Sequence, residues 1–340
     1  MIGPEQLAAG ERAETAGDFL TAAAAYRACT TVPDGLLAAE AHFRLGRVSW
    51  RQGRYQAALA SFEDARALAV NAGDLELAAR VDNGIGAVHY ALGEFAAARQ
   101  AYAGALAGTR DVAMRGKIIL NLGVIENIQG NFDEACEHYD RAQRLFEESG
   151  DRESAMLAVH NRGMLDADQG RWDDADRAFL RAIELATDIG NREMIARSLV
   201  NRSEVLIERD VLDQAVDHCD RALEIYDDVS DEVGRGEALR WRSRALRCAG
   251  RLASAETDAD AAVRIAIRCG ARLLEAEAAR ELGLTRSQLG DRTGAIKELN
   301  RALVLFTKLG ASREADEVRN ELPGLTPTRS MSRIKPDSSL

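Results

Sequence analysis

An all-α solenoid of about eight helical hairpins with a C-terminal capping helix is the fold this sequence predicts, on three observations. Proline occurs only at Pro4, Pro33, Pro323, Pro327 and Pro336. Nothing between Asp34 and Leu322 therefore breaks a helix, which costs about 3 kcal/mol per proline. Ala supplies much of an apolar content of 46%, while aromatics reach only 5%, which suits helices in close contact. One pattern, a Gly, then a bulky apolar residue two on, then Ala three further, recurs along the chain.

The recurrences give each hairpin in order. They are Gly17-Phe19-Ala22, Gly53-Tyr55-Ala58, Gly93-Phe95-Ala98, Gly130-Phe132-Ala135 and Gly170-Trp172-Ala175, then Asp210-Leu212-Ala215, Gly250-Leu252-Ala255 and the weaker Gly290-Arg292-Ala295. Seven residues before each turn stands a small residue, from Gly10, Gly46, Gly86, Gly123 and Gly163 to Ser203, Ser243 and Gly283. It lets the second helix of a hairpin approach the first. Four after the motif Ala comes a larger residue, Tyr26, Phe62, Tyr102, Tyr139 and Phe179, then Cys219, Ala259 and Leu299, to fill the corner of the pair. Another small residue follows three further on, Cys29 in the first repeat and then Ala65, Ala105, Ala142, Ala182, Ala222, Ala262 and Ala302. Spaced by seven from the motif Ala, it shares a helix face with it. The turn Gly is expected in the left-handed conformation that closes a helix.

This set of positions resembles the tetratricopeptide repeat over residues 4–322. The period near 40 residues is similar to the longer-helix subfamily of kinesin light chains and of the C-terminal arms of actinobacterial transcriptional regulators. The resemblance implies a right-handed solenoid with repeats near 4–33, 34–73, 74–110, 111–150, 151–190, 191–230, 231–270 and 271–310, and a cap helix at 311–322. The family's usual proline at the end of the second helix is missing. Gly73-Asp74, Gly150-Asp151, Gly190-Asn191, Ser230-Asp231, Gly270 and Gly310 stand in as stop and start signals. Residues 323–340, with three prolines and four serines, are expected to be disordered.

Composition excludes several classes. The net charge of -11 argues against direct nucleic-acid binding and against anionic membranes. No stretch nears the roughly 18 apolar residues of a membrane span, and no secretory leader is evident. The five cysteines are scattered without a C-x-x-C and read as small reduced core residues of a cytoplasmic protein. Motifs for phosphate cradles, zinc hydrolysis, nucleophile elbows and calcium loops are missing, so neither an enzyme nor a cofactor is expected. His218-Cys219 is no metal pair, because adjacent helical residues diverge by about 100°.

The candidate site lies on the first helices, which line the concave face in this family. Two residues before the small position, three successive repeats carry Asn121, Asn161 and Asn201. By resemblance such a ladder holds the backbone of an extended peptide, since an amide matches both C=O and N–H. The alternative is that these amides bond neighbouring helices. Trp241 and Glu281 end the ladder. Arg44, Arg80, Lys117, Arg197, Arg240 and Arg244 stand nearby, and the face as a whole carries ten bases against seven acids. That predicts a basic groove for an acidic partner, unless the charges pair among themselves. Where the family prefers Leu, the chain has Leu45, Ile85 and Leu122, then Arg162, Arg202 and Arg242, then Leu282. Those arginines are expected to lay their stems along neighbouring helices with their heads in water, Arg162 pairing with Asp166. A softer joint there is expected.

The functional reading is a regulatory scaffold or adaptor for an extended segment of another protein, monomeric or weakly self-associating. Alternatives are a peptide- or ligand-sensing regulator acting in trans, since the first repeat begins near residue 4, and a response-regulator phosphatase.

Overall fold

The computed structural model describes residues 2–322, and the expected tail at 323–340 lies outside the described residues. Seventeen helices succeed one another, and no strand occurs among the described residues. They are α1 (Ile2–Thr15), α2 (Phe19–Cys29), α3 (Gly35–Arg51), α4 (Tyr55–Ala72), α5 (Leu75–Ala91), α6 (Phe95–Gly108), α7 (Val112–Ile128), α8 (Phe132–Ser149) and α9 (Arg152–Asp168). There follow α10 (Trp172–Asp188), α11 (Arg192–Glu208), α12 (Leu212–Val229), α13 (Glu232–Cys248), α14 (Leu252–Cys269), α15 (Arg272–Leu289), α16 (Arg292–Leu309) and α17 (Ser312–Glu321). The fold is an all-α helical-repeat solenoid. The chain divides into two compact units between Gln169 and Gly170, between α9 and α10.

Local sequence sets the helix boundaries. The turn glycines take left-handed φ values of 69° to 84°, and Asp210 holds the same conformation at 58°. At the other turns Asp74, Asp151 and Asp231 accept a hydrogen bond from the backbone N–H three residues on, at 2.9, 3.1 and 2.9 Å. A side-chain oxygen placed there satisfies one of the donors that a helix start leaves open.

In the first unit the small residue and the aromatic are one device. A Cβ on Gly86 would come within 2.5 Å of the Tyr102 ring, and on Gly46 within 2.6 Å of Phe62. The ring thus occupies the space a side chain would take on the first helix. Ala58, Ala65, Ala98 and Ala105 are wholly buried beside these rings. In the second unit Gly283 still meets Leu299, but hairpin α13–α14 replaces the device with a polar link. Ser243 Oγ donates to the Ala255 carbonyl at 2.8 Å, joining α13 to α14, and the corner residue shrinks to Ala259.

The arginine series ends on carboxylates and not in water. Arg162 on α9 donates to Asp140 of α8 at 2.7 Å and pairs with Asp166 at 3.2 Å. Arg202 on α11 meets Asp176 of α10 at 2.6 Å and His218 of α12 at 3.3 Å. Arg242 on α13 pairs with Asp220 of α12 and with Asp258 of α14 at 2.7 Å. In the last two, one first-helix guanidinium clasps the second helices on either side. The cysteines also depart from expectation. Cys29 and Cys219 are buried, but Cys248 and Cys269, in the last turns of α13 and α14, are exposed.

Candidate functional site

Within the first unit, the first helices α3, α5 and α7 enclose a cavity of about 890 Å³ with residues of α4 and α6. Its walls are aromatic. Phe43 and Trp50 come from α3, Tyr55 and Phe62 from α4, Tyr90 from α5 and Tyr102 from α6. Six of the chain's seventeen aromatics therefore meet here. Trp50 is 41% exposed, so part of its ring faces the opening of the cavity. Gly84 and Ala87 keep the cavity open on α5.

Four cations, Arg47, Arg51, Arg80 and Lys117, line the cavity, and no acid does. Each is partnered from outside the lining. Arg80 donates to Glu40 at 3.2 Å and stacks on Phe43 with its guanidinium carbon 4.6 Å from the ring centre. Lys117 reaches Asp151 at 3.2 Å. Arg47 and Arg51 share Glu14 at 3.2 and 3.9 Å, and Glu14 also accepts from the Tyr26 hydroxyl at 2.8 Å.

Three expected site residues, Arg80, Lys117 and Asn121, line this cavity. The Asn121 amide donates to the Asn83 Oδ1 at 3.3 Å, joining α7 to α5. That bond uses one of the two N–H groups of Asn121. Asn161 on α9 is half-buried, as is Asn201 on α11 in the second unit. Arg44, expected in the same groove, does not line the cavity. It pairs with Glu11 at 2.9 Å and Glu40 at 2.6 Å.

In the second unit the expected basic lining is a closed network. Arg197 pairs with Glu193 at 3.4 Å, and Arg244 with Glu208 at 2.6 Å. Arg240 sits between Glu237 at 2.9 Å and Glu277 at 3.5 Å. Burial works against the charge on Arg240, yet Glu277 and Glu237 outweigh it and hold its pKa above the ordinary arginine value. Trp241 is only 7% exposed, with Arg240 and Arg244 at 4.4 and 5.1 Å from its ring centre. It is part of the packing and not an open contact. The surplus of bases counted along the first helices thus overstates the free positive charge, because acids on the same helix, Glu193 and Glu237, and on adjacent first helices, Glu208 and Glu277, meet them.

The sequence reading missed Phe43, Trp50, Tyr55, Asn83 and Tyr90. A signal existed. Seven of the seventeen aromatics fall between residues 43 and 102. Among the described residues no three metal-ligating side chains converge, and no helix is long and apolar enough to cross a membrane.

The repeat architecture agrees with the comparisons. A tetratricopeptide-repeat family model matches residues 37–111, and a model of the MalT-like TPR region matches residues 103–235. Together they run over more than half of the chain, which belongs to the tetratricopeptide-repeat family. No curated protein matches it. Among solved structures, the apo form of RapI is 14% identical with a TM-score of 0.65, covering 96% of this chain and 97% of its own. A Rap protein complexed with competence and sporulation factor is 12% identical at a TM-score of 0.61, covering 94% and 96%. A STAND-type signal-transduction ATPase with a tetratricopeptide-repeat sensor, from Pyrococcus horikoshii, is 15% identical at a TM-score of 0.68. It covers 91% of this chain, which spans 48% of that protein. At these identities the likeness is one of fold.

Proposed function

We propose that the chain is a protein-interaction scaffold whose first helices hold an extended segment of another protein. The observation that carries this reading is the open cavity between three successive first helices, with the Asn83–Asn121 amide pair on its wall. Backbone-matching amides there supply affinity without selecting side chains, at roughly 0.5–1.5 kcal/mol per bond. The Rap protein solved with competence and sporulation factor has the same fold, which supports the reading by analogy. The charge pairing on both sets of first helices weighs against a partner selected by acidity alone.

The test is co-purification with the tagged full chain, comparing wild type with Asn83→Ala/Asn121→Ala. A protein retained by wild type and lost by the double variant, with helicity unchanged, supports the reading. A partner held equally by both moves the interface off this face.

A further inference from the structure

The aromatic end of the cavity offers more than a peptide groove requires. A backbone-reading groove needs amides at regular intervals along the first helices. Here the amides occupy one wall, and the rest is a chamber of rings and cations. The chamber reaches between hairpins, since Tyr55, Phe62 and Tyr102 belong to second helices. Its volume of about 890 Å³ falls in the range of sites that enclose a small organic molecule. Trp50 and Tyr90 present ring faces or edges that a planar group can stack against.

The charge count narrows the ligand further. Four cations line the chamber, and their partners outside the lining are Glu14, Glu40 and Asp151. Glu40 is shared with Arg44, which Glu11 also holds, so following the network outward gives five bases and four acids. Glu76 and Asp111 stand beside Arg80 and Lys117 as well, so the cation to look for is the one with the weakest partner. The cation with the loosest pairing is Arg51, 3.9 Å from a Glu14 that Arg47 approaches to 3.2 Å and the Tyr26 hydroxyl bonds. Arg51 and Trp50, both in the last turn of α3, line the same chamber, so ring wall and least-paired cation border one space.

From this juxtaposition we infer that the chamber is a binding site for a small aromatic monocarboxylate. Its ring stacks among Trp50, Tyr55 and Tyr90, and its carboxylate takes the free hydrogen-bonding capacity of Arg51. One carboxylate matches the one loosely paired cation, and a neutral ring would leave Arg51 with its 3.9 Å contact alone. The chamber is part of the cavity on which the peptide reading rests, but the small acid needs only its aromatic end and can bind with no protein segment along the first helices.

The experiment is isothermal titration calorimetry on the full chain with three probes: indole-3-acetate, indole without the carboxylate, and acetate without the ring. Indole-3-acetate is expected to saturate one site at submillimolar concentration, indole to bind about tenfold more weakly, and acetate not to bind. Arg51→Gln is expected to remove the advantage of indole-3-acetate over indole and leave indole itself unchanged. Ala87→Phe, which fills the chamber from α5, is expected to abolish both, with circular dichroism confirming the fold. Equal affinities for indole and indole-3-acetate, undiminished binding by Ala87→Phe, or no binding in the millimolar range would each overturn the assignment. So would binding of an acetylated, amidated Trp-Glu dipeptide where indole-3-acetate fails. That result would give the chamber to a peptide side chain and leave the scaffold reading standing.

Discussion

The hairpins α3–α6 and α11–α14 follow one plan but are held by different chemistry. In the first, an aromatic ring lies on a glycine backbone, Phe62 on Gly46 and Tyr102 on Gly86, and Leu45 and Ile85 occupy the neighbouring first-helix position. In the second, Ser203 and Ser243 replace the glycines, Cys219 and Ala259 replace the rings, and Arg202 and Arg242 replace the aliphatic residues. The volume lost from the corner is not refilled with hydrocarbon. A guanidinium reaches across instead and ties a first helix to two second helices through Asp176 and His218, or Asp220 and Asp258. The comparison teaches that repeat stacking fixes the backbone outline and leaves the adhesive open. Apolar burial is insensitive to salt and pH, whereas an ionic clasp depends on both partners being present and charged.

The largest effect is expected where the ring is removed. Tyr102→Ala empties a buried corner beside the cavity and should cost about 4 kcal/mol, while Cys219→Ala at the equivalent corner should cost about 1 kcal/mol, little more than one buried methylene-sized group. Urea denaturation followed by circular dichroism reads both. Equal losses would mean that the ring-on-glycine contact does not hold the first unit together.

Breaking the clasp comes next. Arg242→Leu restores the aliphatic residue of the other repeats but strands Asp258, which is 7% exposed. Bonds to Asp258, with burial opposing, hold the Arg242 pKa above the ordinary arginine value, so the pair is favourable as built. A loss of about 2–3 kcal/mol is expected, below the range for fully buried pairs because Arg242 remains partly exposed. Adding Asp258→Leu should recover most of it. A double variant no more stable than Arg242→Leu would show that the stranded carboxylate is not the source of the loss.

A pH difference should then separate the units. Burial, with Arg202 and Arg221 adding to it against Asp176 and Asp217, pushes the His218 pKa down to about 4. In the unfolded chain it titrates near 6.5, so the unfolded state takes up the proton first as pH falls. The stability contributed by neutral His218 is fully present above about pH 6.5 and is lost between there and about pH 4, amounting to roughly 2 kcal/mol at pH 5. Urea midpoints at pH 7 and pH 5 should show this fall, and His218→Gln should remove most of it. An unchanged pH dependence in the variant would put the sensitivity elsewhere.

The smallest effect has the opposite sign. Asp210 holds a left-handed φ of 58° at a turn where seven other repeats use glycine. Asp210→Gly should stabilise the chain by about 1 kcal/mol by relieving that conformation. A loss of stability would mean that the Asp210 side chain contributes more than its backbone costs.

The candidate site was far less legible in the sequence than the fold. Asn121, Arg80 and Lys117 were placed by their register alone, and the structure puts them on one cavity. The same register placed Trp241 and Arg240 in the groove, where the structure shows a ring covered by two guanidinium groups and an arginine held between two glutamates. Register tells which face a residue occupies. It does not tell whether the neighbouring helix has brought a partner of the right length to that face.

What the sequence determined by itself was everything that depends on residues close along the chain. Glycine at a left-handed turn, aspartate before a helix start, and a small residue and a ring 16 residues apart across a single turn, as in Gly46 and Phe62, act within one hairpin. Each hairpin therefore carries its own instructions. What only the tertiary structure decided was the fate of the charges and the shape of the cavity. Arg80 meets Glu40, and Arg247 meets Glu281, across 40 and 34 residues. Each base had several acids at similar register to choose among, and the distance between adjacent first helices selects one. The aromatic chamber collects side chains from α3, α4, α5 and α6: Trp50 and Tyr90, like Phe62 and Tyr102, lie one 40-residue repeat apart, but Phe43 and Tyr55 have no aromatic counterpart on its wall. Such convergence follows from how three hairpins stack, a property of the assembled core and not of any segment within it.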